Sequence, residues 1–284
     1  MTPVTSPEFV AIGHLTLDHF GGVVRPGGAA LYAAVTAQRL GLSAAILTSH
    51  APDFPLDDLP TPIEVVGVEA PATTAFEHRA VTGGRVLRAL GAAQPLTSDD
   101  LPPDWRDAPL VLLAPVLQEV DPPLAAAFPD AAVGAELQGW LRSVGGEGQV
   151  SPIRWALPND VLDRVQAIFV SAHDVRGQAS QVTEWVQRVP LAVVTAGASG
   201  ALLYVNGDRF EIRPRRTREV DATGAGDVFA ATFLVHYDRH GDPWDAAEAA
   251  TCAASLSVEG EGWSAVPDPA TLAAALDAYR ASSR

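Results

Sequence analysis

The chain of 284 residues contains no lysine, so all 19 of its basic side chains are arginine. A Walker-type phosphate loop needs a lysine, and so does Schiff-base catalysis; both are excluded. Cysteine is almost absent as well. Cys252 stands alone, so neither an intrachain disulfide nor a cysteine-cluster zinc site can form. Long apolar runs are missing: stretches such as 110–114 and 191–194 are strand-length, far below the roughly 20 residues that span a bilayer. Residues 1–8 have no basic segment leading into an apolar one, so no secretory leader is expected and a cytoplasmic location is. Positive charge is scarce: 34 acidic residues leave a net charge of −15. Such a surface repels phosphate backbones and anionic lipids, which argues against nucleic-acid and membrane partners.

Apolar residues make up 48% of the chain, enough for the core of one α/β domain spanning 1–284. Residues 9–13 read as a strand, 15–24 as its glycine-punctuated continuation, Gly27-Gly28 as the opening of an Ala-rich helix that runs to about residue 40, and 44–48 as the next strand. Short β-branched and aromatic runs over 63–91, with a turn at Thr82-Gly83-Gly84, read as a small antiparallel sheet inserted in that pattern. Strands then follow at 110–114, 132–137, 167–171 and 191–195, with helices at 161–165 and 178–189. Asn206-Gly207 marks a hairpin between 201–205 and 209–212. Helices at 225–240, 243–258 and 269–281 end the chain. This alternation implies a doubly wound, mostly parallel sheet with helices on both faces. The Pro-rich stretches 51–62 and 101–109 read as connectors.

The chemistry concentrates at Asp221-Ala222-Thr223-Gly224-Ala225-Gly226-Asp227, which opens the helix at 225–240. Gly224 and Gly226 let a ligand approach the backbone closely. Free N–H groups and the positive end of the helix dipole form an anion site there. Asp227, in the first turn, would face the same anion. A carboxylate beside such a site suits phosphoryl transfer, with Asp227 taking the acceptor's proton. It equally suits a plain complement to the helix dipole.

The whole string resembles the C-terminal signature of the ribokinase-like (PfkB) carbohydrate kinase family. Gly27-Gly28 is similar to the family's N-terminal element, and Thr195-Ala196-Gly197-Ala198-Ser199-Gly200 to its nucleotide region. The inserted sheet, with lid elements at about 14–25 and 63–91, is similar to the lid that covers the substrate. The resemblance implies that Asp227 is the general base, and that Gly224, Ala225 and Gly226 form the anion hole. Thr195, Gly197, Gly200 and Thr223 would bind ATP. Asp18, Gly27 and Gly28 would hold a small sugar or polyol. A homodimer through the lid is one arrangement the family uses. Asp221 and Thr223, with the loop 259–264, resemble the family's monovalent-cation site, where potassium would stiffen the anion hole.

The chain departs from the family in two places. Tyr32 stands where the family has a substrate-binding Asn. Ser171-Ala172-His173-Asp174 stands in place of the family's Asn-x-x-Glu, which leaves Asp174 to serve Mg2+. Tyr32, together with Gln138 and Arg142 in Glu136-Leu137-Gln138-Gly139-Trp140-Leu141-Arg142 and the lid pattern over 73–92, is most similar to the inositol kinase branch. Gln138 and Arg142 are then candidate substrate ligands. A nucleoside or hydroxymethylpyrimidine acceptor, or a non-catalytic nucleotide-binding regulator, are the other readings. The arginines at 209, 213, 215, 216 and 218 are the basic cluster, read either as steering ATP phosphates or as a solvated edge. Trp105, Trp155, Trp185 and Trp244 are expected to pack hydrophobically.

Overall fold

A strand covered by helices on both faces must be apolar at every position, and the first strand, β1 (Phe9–Ile12), is fully buried throughout. Its side chains alternate between two cores: Phe9 and Ala11 face one, Val10 and Ile12 the other. The computed structural model describes residues 6–60, 62–81 and 84–282; Thr82 and Gly83 of the expected turn lie outside them. Beyond β1, the N-terminal half comprises β2 (Thr16–Phe20), β3 (Val23–Gly27), α1 (Ala29–Arg39), β4 (Ala44–His50), β5 (Ile63–Glu69), β6 (Thr74–Val81), β7 (Gly84–Gly91), β8 (Leu110–Leu113) and β9 (Ala132–Glu136). The C-terminal half comprises β10 (Arg142–Val144), β11 (Val150–Pro152), α2 (Asn159–Arg164), β12 (Ala167–Ser171), α3 (Ala179–Val186), β13 (Leu191–Thr195), β14 (Ala201–Val205), β15 (Asp208–Ile212), α4 (Ala225–His240), α5 (Pro243–Ser257) and α6 (Pro269–Ala281).

Nine strands form the main sheet in the order β15-β14-β13-β12-β9-β8-β1-β4-β5. The seven from β13 to β5 in that order pair in parallel, and the β14–β15 hairpin closes one edge antiparallel. Residues from α1, α4, α5 and α6 share the core on one face; residues from α2 and α3 share the other. This is the doubly wound sheet that the alternation predicted. No helix among the described residues is long and apolar enough to cross a membrane.

The inserted sheet differs from expectation in its membership. Residues 63–69 form β5, which pairs in parallel with all of β4 and is the edge of the main sheet. The Pro-rich stretch before it carries the chain over to the parallel side and does not make a hairpin. Residues 15–24 do not continue β1. The chain turns at Gly21-Gly22 and β2 pairs back on β3. The expected lid elements thus form the four-stranded sheet β3-β2-β6-β7, closed by a parallel β2–β6 pairing, without residues 63–69. A further hairpin, β10–β11, reaches it through a bridge between Arg88 and Gln149. Three-residue strands have no period to read, which is why residues 142–152 gave no strand signal. Of the tryptophans expected to pack hydrophobically, Trp105 and Trp185 are buried, Trp155 is half-buried and stacks on buried Trp140 with centroids 5.0 Å apart, and Trp244, 41% exposed, meets Phe210 edge-on.

Parallel order brings the C-terminal ends of β1, β8, β9, β12 and β13 to one edge, where such sheets bind ligands. Gly134 in β9 lets α4 cross this sheet closely, since a Cβ there would come within 2.6 Å of Leu234. That approach sets the start of α4 over the end of β9.

Candidate active site

A cavity of about 570 Å³ lies between the sheet edge, the lid and the start of α4. The turn into α4 begins with Asp221, whose Oδ1 accepts the Thr223 amide at 3.0 Å. Gly224 follows at φ 79°, a left-handed conformation that glycine takes without strain. The first helical backbone bond runs from the Val228 amide to Gly224 at 2.9 Å, so the amides of Gly226 and Asp227 fall before the ladder begins. A Cβ on Gly226 would meet nothing within 4 Å, so this end is open to a ligand. Thr223, Gly224, Ala225, Gly226 and Asp227 all line the cavity.

Asp227 keeps a partly exposed edge toward the cavity while its carboxyl is enclosed by protein atoms. Burial raises its pKa to about 6; a hydrogen bond with Glu136 and the nearby Arg142 pull it down, and Asp18 pushes it up. Glu136, the last residue of β9, is 5% exposed. Burial holds it well above the usual carboxylate range, with the Asp227 charge and hydrogen bond adding to the shift. Two carboxyls side by side in a dry site resist both being charged, so the pair favours keeping a proton on one of them. The position of Glu136 within the polar segment 136–142 was visible in the sequence, but its contact with Asp227 depends on the close α4–β9 crossing.

Arg142 is the positive partner of this group, and Asp174, Asp227, Glu119 and Asp18 all act on it. Its Nη1 donates to the Val116 carbonyl at 3.2 Å. Buried Glu119 braces that turn by accepting the Val116 and Leu117 amides at 2.8 and 2.6 Å. Gln138 and Arg142 line the cavity, as does Asp174 with Ser171 and His173. The Asp174 carboxyl is raised by burial and drawn down by Arg142.

The lid supplies the opposite wall. Asp18 in β2 is 6% exposed and accepts from Thr16 Oγ1 at 3.2 Å. His78 in β6 brings Nε2 to 3.3 Å from Asp18 Oδ1, a contact that no sequence spacing announced. Gly27 is crowded against the same carboxylate: a Cβ there would sit 2.2 Å from Asp18 Oδ2. Gly28 and Tyr32 line the cavity, and Tyr32 is only 3% exposed.

Five of the anticipated residues do not line this cavity: Gly27, Thr195, Gly197, Gly200 and Asp221. Thr195 ends β13, and Gly197 and Gly200 shape the tight turn after it, closed by the Ala196 amide on the Gly200 carbonyl at 2.7 Å. That turn shares the sheet's C-terminal edge with Ser171, since the Ala172 amide bonds the Thr195 carbonyl at 2.8 Å. Asp221 faces Arg25, 4.0 Å from Oδ2, and Arg25 also bonds Glu261 at 2.8 Å. The residues resembling a monovalent-cation site are therefore already faced by a guanidinium. In the basic cluster, Arg209 pairs with Glu211, Arg213 packs over Tyr279 and Arg215 pairs with Glu259, which uses up much of its capacity to steer an anion.

Residues 152–270 match the family model described as pfkB family carbohydrate kinase. The chain is 27% identical over 257 residues to a cytidine kinase of Thermococcus kodakarensis, covering 82% of this chain and 89% of that one. Among solved structures, a pyrophosphate-dependent kinase in the ribokinase family, complexed with a pyrophosphate analog and myo-inositol, superposes with a TM-score of 0.75. Identity to it is 23%, over 89% of this chain and 96% of the other. Ribokinase from Thermotoga maritima superposes with a TM-score of 0.74 at 19% identity, over 95% and 99% of the two chains. These two likenesses show the ribokinase-like fold.

Proposed function

We propose that this chain, which matches the pfkB family carbohydrate kinase model over residues 152–270, transfers a phosphoryl group from ATP to a hydroxyl of a small sugar or polyol in the cytoplasm, with inositols the first acceptors to try. One observation carries the reading: Asp227 and the open amides of α4 share one cavity beneath a separate lid sheet. The acceptor lies against Asp18, Gln138 and Arg142. Asp227 accepts the proton of the attacking hydroxyl, and the amides from Gly224 to Gly226 stabilise charge on the transferred group. Neutral Glu136 donates its hydrogen bond to the Asp227 carboxylate and keeps it ionised. The lid excludes water, which limits wasteful hydrolysis of the donor.

The oxygen-rich edge at Ser171 and Asp174 fits a hard cation held through water. Magnesium bound there would neutralise charge on the donor phosphates. Thr195, Gly197 and Gly200 lie along the same edge and are the proposed nucleotide contacts.

A nucleoside acceptor is the second reading. It is favoured by the aromatic rings of Tyr32, Phe76 and His78 on the cavity wall, against which a base can stack, and by the cytidine kinase relative. The experiment is a coupled ADP-release assay with ATP and magnesium against inositols, ribose, fructose, nucleosides and a no-acceptor control. Pyrophosphate serves as a second donor, followed by phosphate release. Acceptor-dependent release, lost in Asp227→Asn, supports the proposal and names the acceptor. ATP binding by calorimetry with no turnover on any acceptor overturns it in favour of a regulatory protein.

A further inference from the structure

The far end of α4 carries a group of side chains that the phosphoryl-transfer reading does not use. His236 and His240 are one helical turn apart and so share a face, their ring centroids 5.6 Å apart. The chain reverses at Gly241 (φ 68°), and Asp242 caps α5 by accepting the Trp244 and Asp245 amides. This tight corner returns Asp245, in the first turn of α5, to the histidine pair. One ligand atom from each of His236, His240 and Asp245 lies within 4.8 Å of the other two.

The roles within the group are already divided. Asp245 Oδ1 accepts from Arg280, while Oδ2 faces His236 Nδ1 at 4.0 Å. Arg280 is itself fixed by Glu248 at 2.8 Å. A carboxylate held at one oxygen by an outer partner, with the other oxygen turned to an imidazole, is how ligating carboxylates are oriented in metal sites. His236 Nδ1 is buried and makes no hydrogen bond.

We propose that His236, His240 and Asp245 form a binding site for a divalent transition-metal ion of the zinc class. Two imidazoles and a carboxylate are a borderline-soft donor set suited to zinc, with water completing the tetrahedron. Tetrahedral ligands at zinc distances stand about 3.3 Å apart, so closure needs only small rotamer changes, chiefly at exposed His240. His236 lies nine positions after Asp227, about 14 Å along the helix, so the ion would clip the α4–α5 corner without touching the cavity.

The test uses tag-free, chelator-treated full-length protein titrated with zinc chloride in a calorimeter, and cobalt(II) followed by visible absorption. One ion per chain and a cobalt d–d band of tetrahedral intensity are expected. His240→Ala should weaken zinc at least about tenfold while leaving the circular dichroism spectrum and kinase turnover unchanged. His236→Asn should do the same for zinc. Absence of saturable binding at micromolar zinc would overturn the proposal, and so would binding that both variants retain.

Discussion

The ring of Tyr32 fills the space that a side chain at Gly224 would need: a Cβ there would lie 2.2 Å from Tyr32 Cδ1 and 2.3 Å from Cε1. Tyr32 sits in the first turn of α1 and Gly224 caps α4, so the two helix starts that build the cavity are interlocked. The Tyr32 hydroxyl is pushed up by burial and then by the charges of Asp227, Asp221 and Asp18, so it remains a neutral donor.

Gly224→Ala should suffer twice, from that clash and from a φ of 79° that alanine adopts only under strain. A loss of about 1–3 kcal/mol in stability is expected, with turnover falling further as the α4 amides shift. Pairing it with Tyr32→Ala removes the clash and leaves the strain, so part of the stability should return. Chemical denaturation of the three variants measures this; no recovery in the double variant would show the ring to be irrelevant.

Asp227→Asn should cost a factor of roughly 10² to 10⁴ in kcat with a far smaller change in acceptor affinity. Initial-rate kinetics against both substrates decide it. Retention of most activity would remove Asp227 from the role of base.

The Glu136–Asp227 pair predicts a pH dependence. The base must be ionised, so kcat should fall as pH drops through about 6, the raised value of Asp227. Glu136→Ala deletes the hydrogen bond that lowers that value, so the acid limb should move upward. Glu136→Gln, which can still donate, should restore it. Stability carries the opposite test. A carboxyl whose pKa is raised on folding holds its proton more tightly in the native state. Its contribution is complete below the unfolded value of about 4.3 and is lost as pH rises through the folded value. Wild type should therefore lose stability relative to Glu136→Gln from weakly acid to alkaline pH. Parallel pH profiles of wild type and Glu136→Ala would sink the shared-proton account.

Arg25 lies between Asp221 and Glu261, where the family resemblance points to potassium. We expect wild-type rates to be the same in potassium and tetramethylammonium chloride, and Arg25→Ala to become potassium-stimulated. A wild-type rate that rises several-fold with potassium would refute the substitution of guanidinium for cation.

Val23, Val24 and Leu90 are 52%, 48% and 47% exposed on the lid strands β3 and β7. A lid-to-lid homodimer would cover them. Analytical ultracentrifugation should find a dimer that Val24→Asp weakens, and a monomer at all concentrations would leave this apolar surface unexplained by self-association.

Local chemistry was enough to read much of this molecule. The strands of the main sheet are apolar at consecutive positions because both faces are covered, and that pattern marked β1, β4, β8, β12 and β13 within a residue or two. Asn206-Gly207 takes φ values of 50° and 87°, which is the hairpin its residue types demanded. Asp227 and its glycines were legible because a helix start needs nothing distant to expose its amides. Partnership was not legible. Residues 63–69 have the composition of a lid strand, and only the parallel register with β4 assigned them to the main sheet. Glu136 and His78 join the site through contacts with Asp227 and Asp18 from other elements, and Arg25 reaches Asp221 across nearly 200 residues. Periodicity and turn chemistry act over a few residues, so the sequence determined the elements and the glycine-rich turn that carries Asp227. Which carboxyls lie against one another, and which cation faces Asp221, are set by how separate elements pack, and that was decided only in the folded chain.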